Sequence, residues 1–365
     1  MAELQLQICA QGAGQIKLSW MGAIWRSYCV DKACLESAGA DVRSVLQSIA
    51  DEYTDPNPSY EDYLPTLARA GERLKSALFA SPDSAESADE VGSFLTGLGQ
   101  KTSLCICSDS SVHLPWNFVY AGNPNAMPKP TGKLSDFDDF WTNRFKIRIR
   151  FQQASVPPKT PISKKRVKTL LALHNERFKA ATQALKNDPE LQRKIRRLLE
   201  HEIGHTNNWF DCRSKWDNLA NEDSIFYIFA HSDGKSLSLS DKPPCSKSSG
   251  IDRYLLSPSG FQTYFRKSRS NPTNTLCFIN GCRTADGDWG NGFLSTTSTH
   301  GFQGFIGSEA EVPNDRATKY AVEFLSHLLE GSTVDVAFEA TRELCFPMSL
   351  WYSCYAYPDF QISAR

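Results

Sequence analysis

The segments IFYIFAH at residues 225–231 and TLCFINGCRTA at residues 275–285 carry the strongest fold signal in the chain. Each contains a short apolar run that is rich in β-branched and aromatic residues and is followed by turn residues. This pattern is typical of a buried parallel strand. His231 ends the first run and Cys282 follows the second. If the two strands lie side by side, an imidazole and a thiol meet at one edge of a sheet, which is how an α/β protein assembles a cysteine nucleophile and its base.

The rest of the C-terminal half alternates between strand and helix patterns. Strands are predicted over 169–174, 302–307 and 350–357, and helices over 177–201, with a break at 187–189, over 314–331 and over 334–344. Strands that alternate with helices are typical of an α/β fold, here with a mostly parallel sheet flanked by helices.

The N-terminal half has a different pattern, which indicates an α+β region. It contains a predicted hairpin over 1–20, helices around 42–49 and 67–78, and strands over 103–107 and 145–151. A Pro- and Lys-rich stretch follows. We therefore predict an N-terminal α+β region over 1–155, a linker over 156–166, and an α/β domain over 167–365 on which the N-terminal region packs.

Composition excludes several classes of protein. The 365 residues are 41% hydrophobic and 22% charged, with a net charge of −1, so no basic surface for nucleic acid is expected. No apolar stretch approaches the ~20 residues that span a bilayer, and the first residues do not resemble a secretory signal. The 11 cysteines follow no framework spacing, which together with the lack of a secretory signal predicts reduced thiols in the cytoplasm, and the lack of a spanning stretch predicts no membrane association.

The residues beside Cys282 favour a nucleophile. Gly281 has no side chain to block the approach of a substrate, and the backbone N–H of Cys282, at a strand end, can point at a developing oxyanion. Alone, Cys282 is also compatible with a structural cysteine, and His231 with an ordinary surface histidine. The pair, each after an apolar strand and 51 residues apart, favours a catalytic dyad.

Residues from about 104 to 358 resemble the CHAT family of caspase-like cysteine peptidases, in the clan that also holds caspases and separase. Five ordered features carry the resemblance: LPWNFVY at 114–120, the histidine strand at 226–231, FINGCRTA at 278–285, the strand and helix from 304 to 331, and the closing segment at 351–360. Caspases also place their histidine about 50 residues before the cysteine.

The resemblance implies a cysteine endopeptidase that cleaves a protein substrate and needs no metal or organic cofactor. Cys282 would attack the scissile carbonyl, and His231 would protonate the leaving amine. Backbone N–H groups near Ser232, Gly234 and Cys282 would hold the oxyanion. It also implies a role in bacterial regulated proteolysis or antiviral defence.

Three positions depart from the family pattern. Ser232 stands where the family usually has glycine after the histidine, Gly281 replaces alanine, and Asn117 replaces glutamate. The tetratricopeptide repeats that often accompany such domains are missing, so we expect a protein partner or another signal to activate the chain.

Acidic residues near the predicted site are candidates for substrate recognition. Asp286, after the nucleophile, and Asp315, after the next strand, could pair with a basic residue before the cleaved bond, as in relatives of the family. The alternatives are an ordinary loop position for Asp286 and a helix-capping role for Asp315.

Two other functions are compatible with the sequence. One is a CHAT-like module that binds a peptide without cleaving it, because Ser232 stands in place of the glycine at a position that can supply an oxyanion-hole N–H. The other is a zinc peptidase that uses HEIGH at 201–205, since His201 and His205 on a helix could share one Zn²⁺ with Glu202 as general base. A third protein ligand is not evident, and a solvated helix end explains the same residues.

Overall fold

The computed structural model describes residues 4–12, 14–52, 60–81, 83–99, 101–108, 113–151, 162–163, 168–200, 202–219, 224–242, 252–265, 275–285, 292–299, 302, 304–356 and 360–363. It divides into two compact units, Met1–Gln153 and Ala154–Arg365. Most of the predicted linker, and Asp286, lie outside the described residues. The sequence-based domain boundaries, and the packing of the N-terminal region on the C-terminal domain, stay predictions.

The first unit contains a five-stranded mixed sheet with the order β3-β2-β1-β4-β5. Its strands are β1 (Leu4–Gln11), β2 (Gln15–Met21), β3 (Arg26–Asp31), β4 (Thr102–Ser108) and β5 (Phe145–Phe151). Its helices are α1 (Lys32–Glu52), α2 (Leu64–Phe79), α3 (Ala85–Thr96) and α4 (Trp141–Arg144). The predicted hairpin is confirmed, because β1 and β2 pair antiparallel. Helix α3 was not predicted.

The second unit contains a six-stranded sheet with the order β15-β14-β13-β9-β7-β8. The strands of this unit are β6 (Ile162–Ser163), β7 (Lys168–Leu173), β8 (Glu202–Thr206), β9 (Ser224–Phe229), β10 (His231–Ser232), β11 (Leu237–Ser238), β12 (Leu255–Leu256), β13 (Thr275–Asn280), β14 (Gly304–Ser308), β15 (Tyr352–Ala356) and β16 (Ile362–Ser363). Its helices are α5 (Asn175–Ala184), α6 (Pro189–Glu200), α7 (Trp209–Asp217), α8 (Pro258–Tyr264), α9 (Phe293–Thr299), α10 (Asn314–Leu329) and α11 (Val334–Leu344).

This larger sheet is parallel except at one edge, where β14 and β15 pair antiparallel. Every residue of β9, β13 and β14 is buried, which explains why the sequence of each strand is apolar without alternation. The mostly parallel α/β sheet predicted from the sequence is therefore confirmed.

The register between β9 and β13 fixes the position of the two candidate residues. Phe229 lies opposite Asn280 as the last pair of the ladder. His231 and Cys282 each come two residues later. Since parallel strands end on the same side of a sheet, both residues leave the sheet at the same edge.

The segment at 202–206 corrects one prediction. Helix α6 ends at Glu200, and Glu202–Thr206 forms β8, an edge strand parallel to β7. Strand β15 also begins later than predicted, at Tyr352, after a short 3-10 helix at Met348–Trp351. Within the described part of the chain, no helix combines the length and the apolar composition that crossing a bilayer requires.

Candidate active site

Asn280, the last residue of β13, anchors the strand end that precedes Cys282. Its amide donates hydrogen bonds to the Tyr227 hydroxyl at 3.0 Å and to the carbonyl of Ala317, in the first turn of α10, at 2.8 Å. Its carbonyl oxygen accepts one from the Tyr352 hydroxyl at 2.7 Å. All these bonds are buried, so the end of β13 is tied to strands β9 and β15 and to helix α10.

Gly281 allows the ends of β9 and β13 to approach closely. A Cβ atom at this position would lie 3.0 Å from the carbonyl oxygen of Ala230 and 3.1 Å from Cβ of Ser232. The Gly281 carbonyl accepts a hydrogen bond of 2.7 Å from the Ser308 hydroxyl. The segment after His231 and the segment before Cys282 are therefore in contact.

The turn after Cys282 is also held by specific contacts. Arg283 has a φ of 57°, in the left-handed region that residues with side chains seldom adopt. Its N–H donates to the Ala310 carbonyl at 3.3 Å. The Thr284 hydroxyl donates to the Ile279 carbonyl at 3.0 Å and accepts from the Ser308 N–H at 3.1 Å. These bonds fix the backbone on both sides of the thiol.

Cys282 is half-buried, and its surroundings favour the neutral thiol. Burial is the largest influence and raises the pKa of the thiol above its ordinary value. The Val312 N–H and the Arg177 guanidinium lower this pKa, and the Glu311 carboxylate raises it. Within the described residues, the N–H of Cys282 donates to no carbonyl oxygen of another residue.

His231 is exposed and begins β10, where it pairs with Ser238. Its Nδ1 lies 3.0 Å from Nη1 of Arg177. Because a guanidinium group has only donors, Nδ1 must accept this hydrogen bond. No hydrogen bond joins the imidazole to the Cys282 thiol among the described residues, so the structure holds the two groups at the same sheet edge without a formed ion pair.

Ser232 and Gly234 form a tight turn after His231. The Gly234 N–H donates to the Ser232 hydroxyl at 3.0 Å, and Gly234 has a φ of 80°. The Asp233 carboxylate accepts from the N–H groups of Lys235 and Ser236, at 2.9 and 2.7 Å. The predicted oxyanion donor at Gly234 is therefore engaged by a side chain in this structure.

Asp315 lies in the first turn of α10, whose N-cap residue is Pro313. Its carboxylate is 3.7 Å from Nε of Arg316. The same helix turn contains Ala317, whose carbonyl contacts Asn280, so Asp315 belongs to the element that packs against the end of β13. Asp315 does not cap the helix, and its role toward a substrate stays a prediction.

The zinc-peptidase hypothesis is wrong in its structural premise. It requires a helix at 201–205, but Glu202–Thr206 is a strand. The HExxH arrangement needs its two histidines one helical turn apart, and the extended backbone of Glu202–Thr206, which contains His205, does not form that turn. His201 itself lies outside the described residues.

The structure brings four further residues near the candidate pair. Arg177 and His174 follow β7, the strand beside β9, and Asp241 follows β11. Glu311 lies in the loop after β14. His174 ends the strand predicted at 169–174, so the rule that singled out His231 and Cys282, polar residues after a buried parallel strand, places it at the same sheet edge, and that rule could also have found Arg177. No comparable signal marks Asp241 or Glu311.

One comparison with a solved structure supports the fold. No protein-family model and no curated protein matches the chain. A chain of the Saccharomyces cerevisiae separase–securin complex is similar in structure, with a TM-score of 0.52 and 9% sequence identity over 98% of this chain and 30% of that chain. A secreted C11 cysteine protease from Bacteroides thetaiotaomicron, in complex with an irreversible peptide inhibitor, matches with a TM-score of 0.27 and 11% identity over 44% of this chain and 53% of that chain.

The chain thus spans about a third of the length of the chain from the separase–securin complex. At 9% identity this likeness concerns the fold alone. The predicted caspase-like α/β fold class is confirmed by that match and by the mostly parallel sheet flanked by helices.

Proposed function

We propose that the chain is a cysteine endopeptidase that uses Cys282 and His231 to cleave a protein substrate. The observation that carries the proposal is the β9–β13 register, in which Phe229 pairs with Asn280 and both candidate residues follow at the same sheet edge. The close approach at Gly281 supports it, because the two strand ends are in contact. The sequence resemblance to the CHAT family points to the same reaction.

In the proposed reaction, the Cys282 proton passes to His231 and the thiolate sulfur attacks the scissile carbonyl carbon. The C–N bond then breaks, and the imidazolium returns the proton to the leaving amine. Water hydrolyses the resulting thioester with His231 as base, which releases the acid and restores the thiol. Backbone N–H groups at Cys282 and near Ser232 are the candidate oxyanion donors, and Asp315 is the candidate contact for a basic residue of the substrate.

By the same resemblance, the enzyme would act in bacterial regulated proteolysis or antiviral defence, in the cytoplasm, after activation by a protein partner or another signal. The raised pKa of the Cys282 thiol agrees with a resting form that needs activation, because the thiol and not the thiolate is favoured.

The test compares new protein N-termini in a lysate of the source cells after addition of wild type, Cys282→Ala, His231→Ala or Cys34→Ala. Cys34 is an exposed cysteine of α1 in the other unit and serves as the matched control. We expect a set of cleavage sites that appears with wild type and Cys34→Ala and is lost in the other two variants. The same sites with Cys282→Ala would exclude the proposed chemistry.

A module that binds peptides without cleaving them is the second candidate. It is favoured by the engagement of the Gly234 N–H with the Ser232 hydroxyl, which occupies a candidate oxyanion donor. This alternative predicts that wild type and Cys282→Ala capture the same cellular proteins and that neither produces new N-termini.

A further inference from the structure

Arg177, in α5, joins two side chains beside the candidate dyad. Its Nη1 lies 3.0 Å from Nδ1 of His231. Its Nε and Nη2 donate to one oxygen of Asp241, at 3.2 and 2.8 Å. The guanidinium plane is therefore held from two directions, on one side by a carboxylate and on the other by the imidazole.

The contact with Arg177 determines which tautomer the neutral His231 ring adopts. A guanidinium group carries five N–H donors and no acceptor, so Nδ1 must offer its lone pair. In the neutral ring, the proton then resides on Nε2. Neither ring nitrogen can accept a further proton in this arrangement: the Nδ1 lone pair is used, and Nε2 already carries hydrogen.

The neighbouring charges stabilise the same arrangement. Asp241 is anchored by Arg177, whose hydrogen bond is the largest influence in lowering the pKa of that carboxyl. His174 is fully buried, with Nε2 at 3.3 Å from the same Asp241 oxygen and Nδ1 at 3.5 Å from Glu176. Burial lowers the pKa of His174, so a neutral ring competes little with Arg177 for the carboxylate.

We propose that Arg177 caps His231 and holds the enzyme in a latent form, in which the imidazole cannot take the proton of Cys282. Activation then requires withdrawal of Nη1 from Nδ1. The guanidinium side chain is 30% exposed and that of Asp241 is 61% exposed, so a ligand or protein partner can reach both. This inference rests on the proposed peptidase function, and Arg177 is a positioning residue in it.

The first test is nitrogen NMR of protein labelled at histidine, with the His231 signals assigned from a His231→Gln variant. In wild type we expect the tautomer with the proton on Nε2. In Arg177→Met, which removes every donor, we expect the preference to relax toward a mixture of tautomers. Arg197→Met is the matched control, because Arg197 lies on α6 and contacts Glu330 at 2.8 Å instead. A wild-type ring with the proton on Nδ1 would overturn the proposal.

The second test is the rate at which iodoacetamide alkylates Cys282 at neutral pH, followed by mass spectrometry of the Cys282 peptide. We expect a rise of about tenfold in Arg177→Met, the factor that one hydrogen bond to a charged group represents, and no change in Arg197→Met. Loss of the positive charge alone acts in the opposite direction, because Arg177 lowers the pKa of the thiol. An unchanged or lower rate in a folded Arg177→Met protein contradicts the cap.

The two proposals fail in distinguishable ways. If Arg177→Met changes the tautomer and the alkylation rate but no variant cleaves cellular proteins, the cap stands and the peptidase function does not. If wild type cleaves proteins and Cys282 of Arg177→Met is alkylated no faster than in wild type, the peptidase function stands and the cap does not. Should Arg177→Met not fold, Asp241→Asn replaces it. This variant removes the anchor of the guanidinium and is expected to change both readouts in the same direction by a smaller factor.

Discussion

The two large sheets of the molecule place their polar residues differently. In β1 and β2 of the first unit, buried residues alternate with half-buried ones, so polar side chains occur along the whole strand. In β9 and β13 of the second unit, every residue is buried. A strand that is buried on both faces cannot easily hold polar side chains that lack hydrogen-bond partners. The polar side chains with a possible functional role therefore lie after its last residue.

The cysteines illustrate the difference. Cys277, within β13, is fully buried, and burial raises its pKa well above the ordinary value. Cys282, five positions later and past the strand end, is only half-buried. In the first sheet, the half-buried Cys107 receives a hydrogen bond from Gln5 of the neighbouring strand, within the regular ladder. The position of Cys282 past the end of a buried strand thus distinguishes it from these other cysteines, which residue type alone cannot do.

The largest effect is expected from removing the polar residue that ends β13. Asn280→Ala leaves the Tyr227 and Tyr352 hydroxyls and the Ala317 carbonyl without their buried partner, which should lower the free energy of unfolding by about 3 kcal/mol. Gln5→Ala removes a half-buried amide from β1 and should cost no more than about 0.5 kcal/mol. Urea denaturation measures both; equal losses would contradict the difference between the sheets.

The next effect concerns the close approach of the two strand ends. Gly281→Ala introduces a Cβ within 3.1 Å of Ser232 Cβ and 3.0 Å of the Ala230 carbonyl, and should cost about 2 kcal/mol of unfolding free energy. Adding Ser232→Gly removes one of these contacts and should restore part of the loss. Gly12→Ala, at the β1–β2 turn, is the control, because nothing lies within 4 Å of a Cβ there. If the double variant is no more stable than Gly281→Ala, the strand ends do not meet as described.

The smallest effect concerns how the reactivity of the wild-type Cys282 thiol depends on pH. Because burial raises the pKa of Cys282 in the folded protein, the thiolate fraction at pH 7 is lower than in the unfolded chain. Alkylation of Cys282 should therefore be slower in buffer than in urea at pH 7, and should still be rising as the pH passes the ordinary thiol value of 9.0. A plateau of the folded-state rate near pH 6 would instead indicate a preformed thiolate–imidazolium pair.

Three strands show how reliable the local sequence pattern is. The continuous apolar runs of β9 and β13 predicted buried neighbouring strands, and the ladder confirms them. Strand β8 was missed, because Glu202–Thr206 contains a single large apolar residue and follows the amphipathic helix α6 directly. Among the described strands, β8 pairs with β7 alone, as an edge strand does, so its sequence carries a weak strand signal and its conformation depends on that partner.

The sequence by itself determined the α/β class and the two strands whose ends carry His231 and Cys282, because burial on both faces of a parallel strand requires an uninterrupted apolar run. Only the tertiary structure decided the state of those residues. The hydrogen bond from Arg177 to His231 joins positions 54 residues apart, and the burial of the Cys282 thiol depends on elements that are distant in the chain. Hydrogen-bond direction and desolvation are set by the positions of surrounding atoms in space, and no local periodicity encodes them.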